Sequence, residues 1–167
     1  SFVAGTAGIP FTRGTIALVL GLMILSCGVL AFLQRKELLA DIRQYWRQFL
    51  TIEIISLVAF VFFLLVRLGN PDLWHPWKGG EKPMDFSYLN AVIKSTIFPA
   101  YDPWFAGGYI NYYYYGFVVV GVPINLLGII PSTAYNIVLP LWYSMLISGA
   151  FSIGWNIYHR VSVVKST

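Results

Sequence analysis

The sequence predicts an all-α membrane protein with about four transmembrane helices and one long extracytoplasmic loop that contains a short amphipathic interfacial helix. Of the 167 residues, 57% are hydrophobic and only 11% are charged, whereas about a quarter of a soluble domain is charged. Apolar runs of nearly 20 residues recur, which is the length that crosses a bilayer. The loop between them is rich in proline, glycine and tryptophan, as expected at a membrane–water interface.

The apolar runs place the spans within a single membrane domain of residues 1–167. They are predicted at about 15–33, 49–68, 112–130 and 135–157. The last two come from one long stretch without charged side chains, and a turn must divide it. The turn is predicted at 128–134, because Pro131 can open a helix and Ser132 or Thr133 can cap it.

The charge distribution predicts the orientation. Residues 34–48 carry four basic side chains, and short basic loops remain in the cytoplasm. The loop 69–111 would then be extracytoplasmic in a multipass protein of the cell membrane, with the lipid bilayer as its principal partner. The other basic residues are scattered, so the sequence shows no nucleic-acid interface, and the single Cys27 excludes disulfides within the chain.

One amphipathic helix is predicted inside the long loop, from Pro83 to about Thr96. Apolar residues recur there at steps of three and four, from Phe86 to Ile97, and polar residues occupy the other face. Such a helix suits the surface of the outer leaflet.

The start of this helix contains the candidate chemistry. Pro83 as the first residue puts Asp85 in the first turn, where the helix dipole favours an ionised carboxylate. Such a carboxylate can bind a metal ion or deprotonate a hydroxyl group, and Glu81 and Lys82 lie beside it in the sequence. The cluster suits a phosphate-bearing, hydroxyl-rich substrate. The alternative is that Asp85 is an ordinary acidic residue at a helix start.

Three stretches carry a resemblance to a known family: EKPMDF (81–86), YDPWFAGGYINYYY (101–114) and PSTAYN (131–136). They resemble the large multipass membrane proteins named for a tyrosine-triplet motif, which are grouped with the GT-C integral membrane glycosyltransferases. The similarity covers about residues 45 to 157. It implies transfer of a sugar from a polyprenyl phosphate to an acceptor at the outer face of the membrane.

The resemblance also implies roles for single residues. Asp85 is the first candidate for the catalytic carboxylate and for a metal ligand, and Glu81 is the second catalytic candidate. Lys82 or a divalent metal ion would stabilise charge on the departing phosphate. The candidate substrate-binding residues are Lys82, His75, Asp102, Tyr112 and Tyr113.

The chain departs from that family in one respect. Its members continue into many more spans and a later motif rich in aspartate and histidine, so we expect an N-terminal fragment or a shortened relative. A non-catalytic transmembrane subunit within a larger membrane complex is the alternative, in which His75 or His159 would be the candidate ligands of a pigment or haem.

The four consecutive tyrosines, Tyr112 to Tyr115, raise a separate question. If they begin a helix, their side chains are rotated by about 100° from one to the next. They therefore cannot all line one pocket. We expect one or two to face the loop carboxylates and the others to face the lipid headgroups.

Overall fold

The computed structural model describes residues 2–71 and 80–166, with side chains as far as Tyr158. These ranges contain six helices and no β-strand. The prediction of an all-α fold is thus confirmed. The helices are α1 (Phe2–Thr6), α2 (Arg13–Leu33), α3 (Arg35–Leu68), α4 (Lys82–Lys94), α5 (Tyr115–Leu127) and α6 (Pro131–Ser166).

Three of these helices are long and apolar enough to cross a membrane: α2, α3 and α6, the last as far as Tyr158. They contain three of the four predicted spans. The third predicted span, 112–130, contains only the 13-residue α5. A helix of that length measures about 20 Å, against about 30 Å for the hydrocarbon core.

Local signals explain the limits of α5. Gly128 ends it in the left-handed conformation, with φ of 69°, which glycine adopts without steric cost. The amide of Gly128 donates to the carbonyl of Ile124 at 2.9 Å. α6 then begins at Pro131, inside the predicted turn 128–134 and four residues before the predicted start of the fourth span at 135.

The basic segment 34–48 is helical, so its prediction as a loop is wrong. α3 runs through it without a break from Arg35 to Leu68. Hydropathy distinguishes this polar segment from the apolar span that follows it. Its residues are nevertheless mostly strong helix formers such as leucine, lysine, arginine, glutamine and glutamate, so the helix continues through it. Only Gln34 lies between the end of α2 and the start of α3.

The described chain divides into two compact units, and the predicted single membrane domain stays a prediction. The first unit contains residues 1–33 and 72–135. In it, α5 packs against α4 and α2. The buried core of this unit contains residues of these helices and of the segments between them: Phe11, Ile16, Tyr88, Val92, Phe98, Ala100, Ile110 and Val118.

α4 differs in detail from the predicted interfacial helix. Its buried residues are Tyr88, Leu89 and Val92, so this face packs against protein. Ile97 was predicted to belong to the apolar stripe, but the helix ends at Lys94 and the Ile97 side chain is half exposed. Packing against α5 therefore selects the buried face.

The second unit contains residues 34–71 and 136–167. Here the end of α3 contacts the beginning of α6. The buried Arg67 donates through Nε to Oδ1 of Asn136 at 2.7 Å, and the rings of Phe63 and Tyr143 lie 4.9 Å apart.

Candidate functional site

Two carboxylates meet at the beginning of α4. Gly80 has φ of 54° and turns the chain into Glu81, the residue that precedes the helix. The amide of Asp85 donates to the carbonyl of Glu81 at 3.0 Å. Residues four apart lie on one face of a helix, so the two acidic side chains are neighbours. The predicted placement of Asp85 in the first turn is confirmed.

Tyr113 completes the cluster from a distant part of the chain. Its hydroxyl lies 3.5 Å from Oε2 of Glu81, and its phenol also acts on Asp85, because it lowers the pKa of that carboxyl. The packing of α5 against α4 places this tyrosine, which precedes α5 by two residues. We call Glu81, Asp85 and Tyr113 the carboxylate cluster.

The surroundings of Asp85 disfavour its charged form. Burial and, second, the negative charge of Glu81 raise the pKa of Asp85, and the hydrogen bond from Tyr113 offsets part of that increase. Its Oδ1 atom is buried without a hydrogen-bond partner. The raised pKa makes Asp85 a stronger base than an ordinary aspartate.

Tyr113 remains protonated beside these acids. Burial and the charges of Asp85 and Glu81 raise the pKa of Tyr113 to about 12. At neutral pH its phenol is therefore a hydrogen-bond donor directed at the carboxylates. Nearly half of the side chain is solvent-accessible, so a ligand can reach it.

The remaining predicted site residues lie at different distances from this cluster. Lys82 is half-buried at the first position of α4, directly beside Glu81. Tyr112 packs its ring against Tyr113, with centroids 4.0 Å apart. His75 lies outside the described residues.

Asp102 belongs to a hairpin next to α4. Its Oδ1 accepts a hydrogen bond from the backbone amide of Trp104 at 2.8 Å. Burial and, second, the charge of Asp102 raise the pKa of Tyr88, whereas Glu81 is the charge that acts on Asp85. Asp102 therefore shapes the hairpin, and its predicted role in substrate binding receives no support from these contacts.

Sequence reasoning missed how this hairpin is attached and what it exposes. The indole Nε1 of Trp104 donates to Oγ of Ser87 on α4 at 2.7 Å. Across the turn, the rings of Tyr101 and Tyr109 stack with centroids 4.8 Å apart beside a groove of about 340 Å³. The Gly107–Gly108 turn in the sequence was the available signal for this pairing.

The four tyrosines have different surroundings, but only Tyr115 lies within α5, so the premise that all four begin a helix is wrong. Tyr113 faces the carboxylates. Tyr114 is half-buried against Phe2 and Phe98. Tyr112 and Tyr115 are exposed. The run therefore combines a packing residue with one side chain in the carboxylate cluster.

The oxygen donors of the cluster fit a particular kind of metal binding. In the part of the chain that the structure describes, no three histidine, cysteine, aspartate or glutamate side chains come together. A pair such as Glu81 and Asp85 is nevertheless what Mg²⁺ uses when substrate phosphates supply other ligands. The buried, unpartnered Oδ1 of Asp85 is a suitable ligand atom.

A family model described as Uncharacterized membrane protein (DUF2298) matches residues 2–166. No curated protein and no solved structure matches the chain.

Proposed function

The chain belongs to this family of uncharacterised membrane proteins, and on that premise we propose that it is the N-terminal part of a GT-C-like glycosyltransferase. The donor is a sugar linked to a polyprenyl phosphate, and the acceptor is a hydroxyl group at the outer face of the cell membrane. The same proposal includes the assignment of the chain to the tyrosine-triplet proteins. It also places the loop 69–111 outside the membrane and makes α5 part of a fourth span.

The carboxylate cluster is the observation that carries the proposal. Two acids and a protonated phenol meet at a helix start, and one of the acids is half-buried with a raised pKa. A fold gains no stability from placing two negative charges together, and such arrangements concentrate at functional sites.

In the proposed reaction, the ionised Asp85 and the protonated Tyr113 have different roles. The Asp85 carboxylate accepts the proton of the acceptor hydroxyl while the hydroxyl oxygen forms a bond to the anomeric carbon of the sugar. The bond between that carbon and the lipid phosphate breaks, and the phosphate oxygen keeps the electron pair. Tyr113 donates a hydrogen bond that holds the carboxylates in place.

Two groups can offset the charge on the departing lipid phosphate. Lys82 lies beside Glu81 at the start of α4 and supplies a positive charge. A divalent metal ion held by Glu81 and Asp85 would supply the same charge stabilisation.

The test of this proposal is sugar transfer by the native protein that contains this chain. Membranes receive a short polyprenyl phosphate that carries a radiolabelled hexose, and labelled glycan is counted. Asp85→Asn is expected to reduce the rate by about 100- to 10,000-fold because it removes the general base. Asp41→Asn, a matched change on the exposed surface of α3, should retain full activity. Undiminished transfer by Asp85→Asn would remove Asp85 from the mechanism.

The exposed apolar surface of α2 favours a second candidate, a non-catalytic subunit of a larger membrane complex. Ile16 is the one residue of α2 that is buried, so most of this helix is available to lipid or to other subunits. Purification of the native protein in a fixed ratio with other subunits, together with transfer unaffected by Asp85→Asn, would establish this candidate instead.

A further inference from the structure

The second unit contains a groove that the proposed reaction does not use. α3 and α6 touch where Arg67 meets Asn136 and where Phe63 meets Tyr143. At the opposite end of the same helix pair, their side chains line an open groove of about 660 Å³. This volume is within the usual range for a ligand site.

The groove is lined by both apolar and polar side chains. Phe49 and Ile52 of α3 and Phe151 of α6 provide an apolar wall, and most of the exposed lining is apolar. Arg47 and Asn156 provide a polar edge. A ligand that matches both parts must have an anionic or polar head and a hydrocarbon body.

The charge at the polar edge indicates the sign of the head. Arg47 is exposed, and its guanidinium lies 5.5 Å from the ring centroid of Trp46. Residues 35–48 contain four basic and two acidic side chains, which gives a net charge of +2. An anionic head would therefore be favoured at Arg47.

The predicted start of the span at residue 49 would place the groove at the depth of a lipid headgroup. The apolar part of α3 begins near Phe49, and the polar part before it extends for about 20 Å. Tyr45 and Trp155 are part of the lining, and such aromatic residues are enriched where a membrane helix meets water.

We propose that this groove binds one anionic phospholipid. Its phosphate pairs with Arg47, and its acyl chain lies against Phe49, Ile52 and Phe151. Basic pockets between transmembrane helices bind anionic headgroups in this manner. The mostly apolar lining argues against a free phosphate, which would leave this surface uncovered.

The proposal can be tested with purified full-length protein in a mild detergent. Native mass spectrometry measures the binding of dioleoyl-phosphatidylglycerol and of dioleoyl-phosphatidylcholine. The wild type is expected to prefer phosphatidylglycerol, and Arg47→Gln is expected to lower that preference by about five-fold, the effect of removing one cation beside an anionic lipid. Arg43→Gln removes an equal charge from the same helix outside the groove and should leave the preference unchanged.

A second variant tests the apolar part without altering the charge. Ser152 lines the groove and its hydroxyl bonds to the carbonyl of Ser148 in the same helix. Ser152→Leu would narrow the groove beside Phe151 and should reduce the preference while Arg47 remains. A circular dichroism spectrum like that of the wild type would show that both variants are folded.

Several results would overturn the proposal. Equal binding of the two lipids would exclude recognition of charge. An equal loss of the preference for phosphatidylglycerol in Arg43→Gln and Arg47→Gln would show that the lipid is attracted by the general positive charge of the helix and not by the groove. Glycerol 3-phosphate that competes as well as the whole lipid would exclude the acyl chain, and a lipid-free dimer that blocks binding would assign the groove to a second copy of the chain.

Discussion

At the scale of single residues, Asp85 occupies an unfavourable position for a charged group. It is half-buried beside Glu81, and its pKa is raised by burial and by that neighbouring charge. The first turn of a helix favours a carboxylate, but Oδ1 of Asp85 has no hydrogen-bond partner. Desolvation and repulsion therefore outweigh the helix dipole at this position.

Glu81 and Tyr113 should move the pKa of Asp85 in opposite directions. Glu81→Gln removes a negative charge, so the pKa should fall. Tyr113→Phe removes the hydrogen bond that stabilises the carboxylate, so the pKa should rise. An infrared titration of the protonated carboxyl band, assigned with Asp85→Asn, measures both shifts. Tyr115→Phe is the control, and shifts of the same sign in the two variants would contradict the proposed cluster.

Asp85→Asn should stabilise the protein at neutral pH. Because the pKa of Asp85 is raised on folding, its charged form costs stability above the folded-state pKa, and this cost disappears below the unfolded-state pKa. Solvent screening keeps the gain below about 1 kcal/mol. Thermal unfolding should show a higher Tm for Asp85→Asn at pH 7 and a smaller difference in acid. A lower Tm at pH 7 would indicate that the carboxylate has a structural role.

At the scale of elements, the contact between α4 and α5 holds Tyr113 near the acids. Gly121 of α5 lies at this contact, where an added Cβ would meet Val92 at 3.6 Å and Phe11 at 3.7 Å. That is ordinary contact distance, so Gly121→Ala should be tolerated. Gly121→Leu should cost about 1 to 3 kcal/mol by overpacking and reduce transfer as the helices separate. Denaturant unfolding and the transfer assay measure the two effects, and full tolerance of leucine would contradict this packing.

The elements also show what the sequence could and could not predict. The starts of α4 and α6 were predictable because Pro83 and Pro131 act on their immediate neighbours. The helical segment 35–48 was missed because hydropathy marks where a span ends, while backbone helicity continues through polar helix formers. The meeting of Tyr113 with Glu81 depends on helix packing across 32 residues, so only a general expectation about the tyrosines was possible.

At the scale of the whole molecule, the proposed topology places the basic start of α3 and the carboxylate cluster on opposite sides of the membrane. In a Cys27→Ser background, Lys36→Cys and Lys94→Cys introduce thiols at two exposed positions. In intact cells, an impermeant maleimide should label Lys94→Cys, and Lys36→Cys should react only after the membrane is opened. Labelling of both positions from the outside would contradict this topology.

The most direct test of the central claim is chemical rescue of the missing base. Asp85→Ala removes the carboxylate and leaves a space that formate can enter. In native protein reconstituted with the labelled polyprenyl-phosphate hexose, transfer by Asp85→Ala should be nearly absent and should rise with formate concentration. The wild type and Asp41→Ala should not respond. Full transfer by Asp85→Ala without formate, or no rescue while donor binding is intact, would contradict the assignment of Asp85 as the general base.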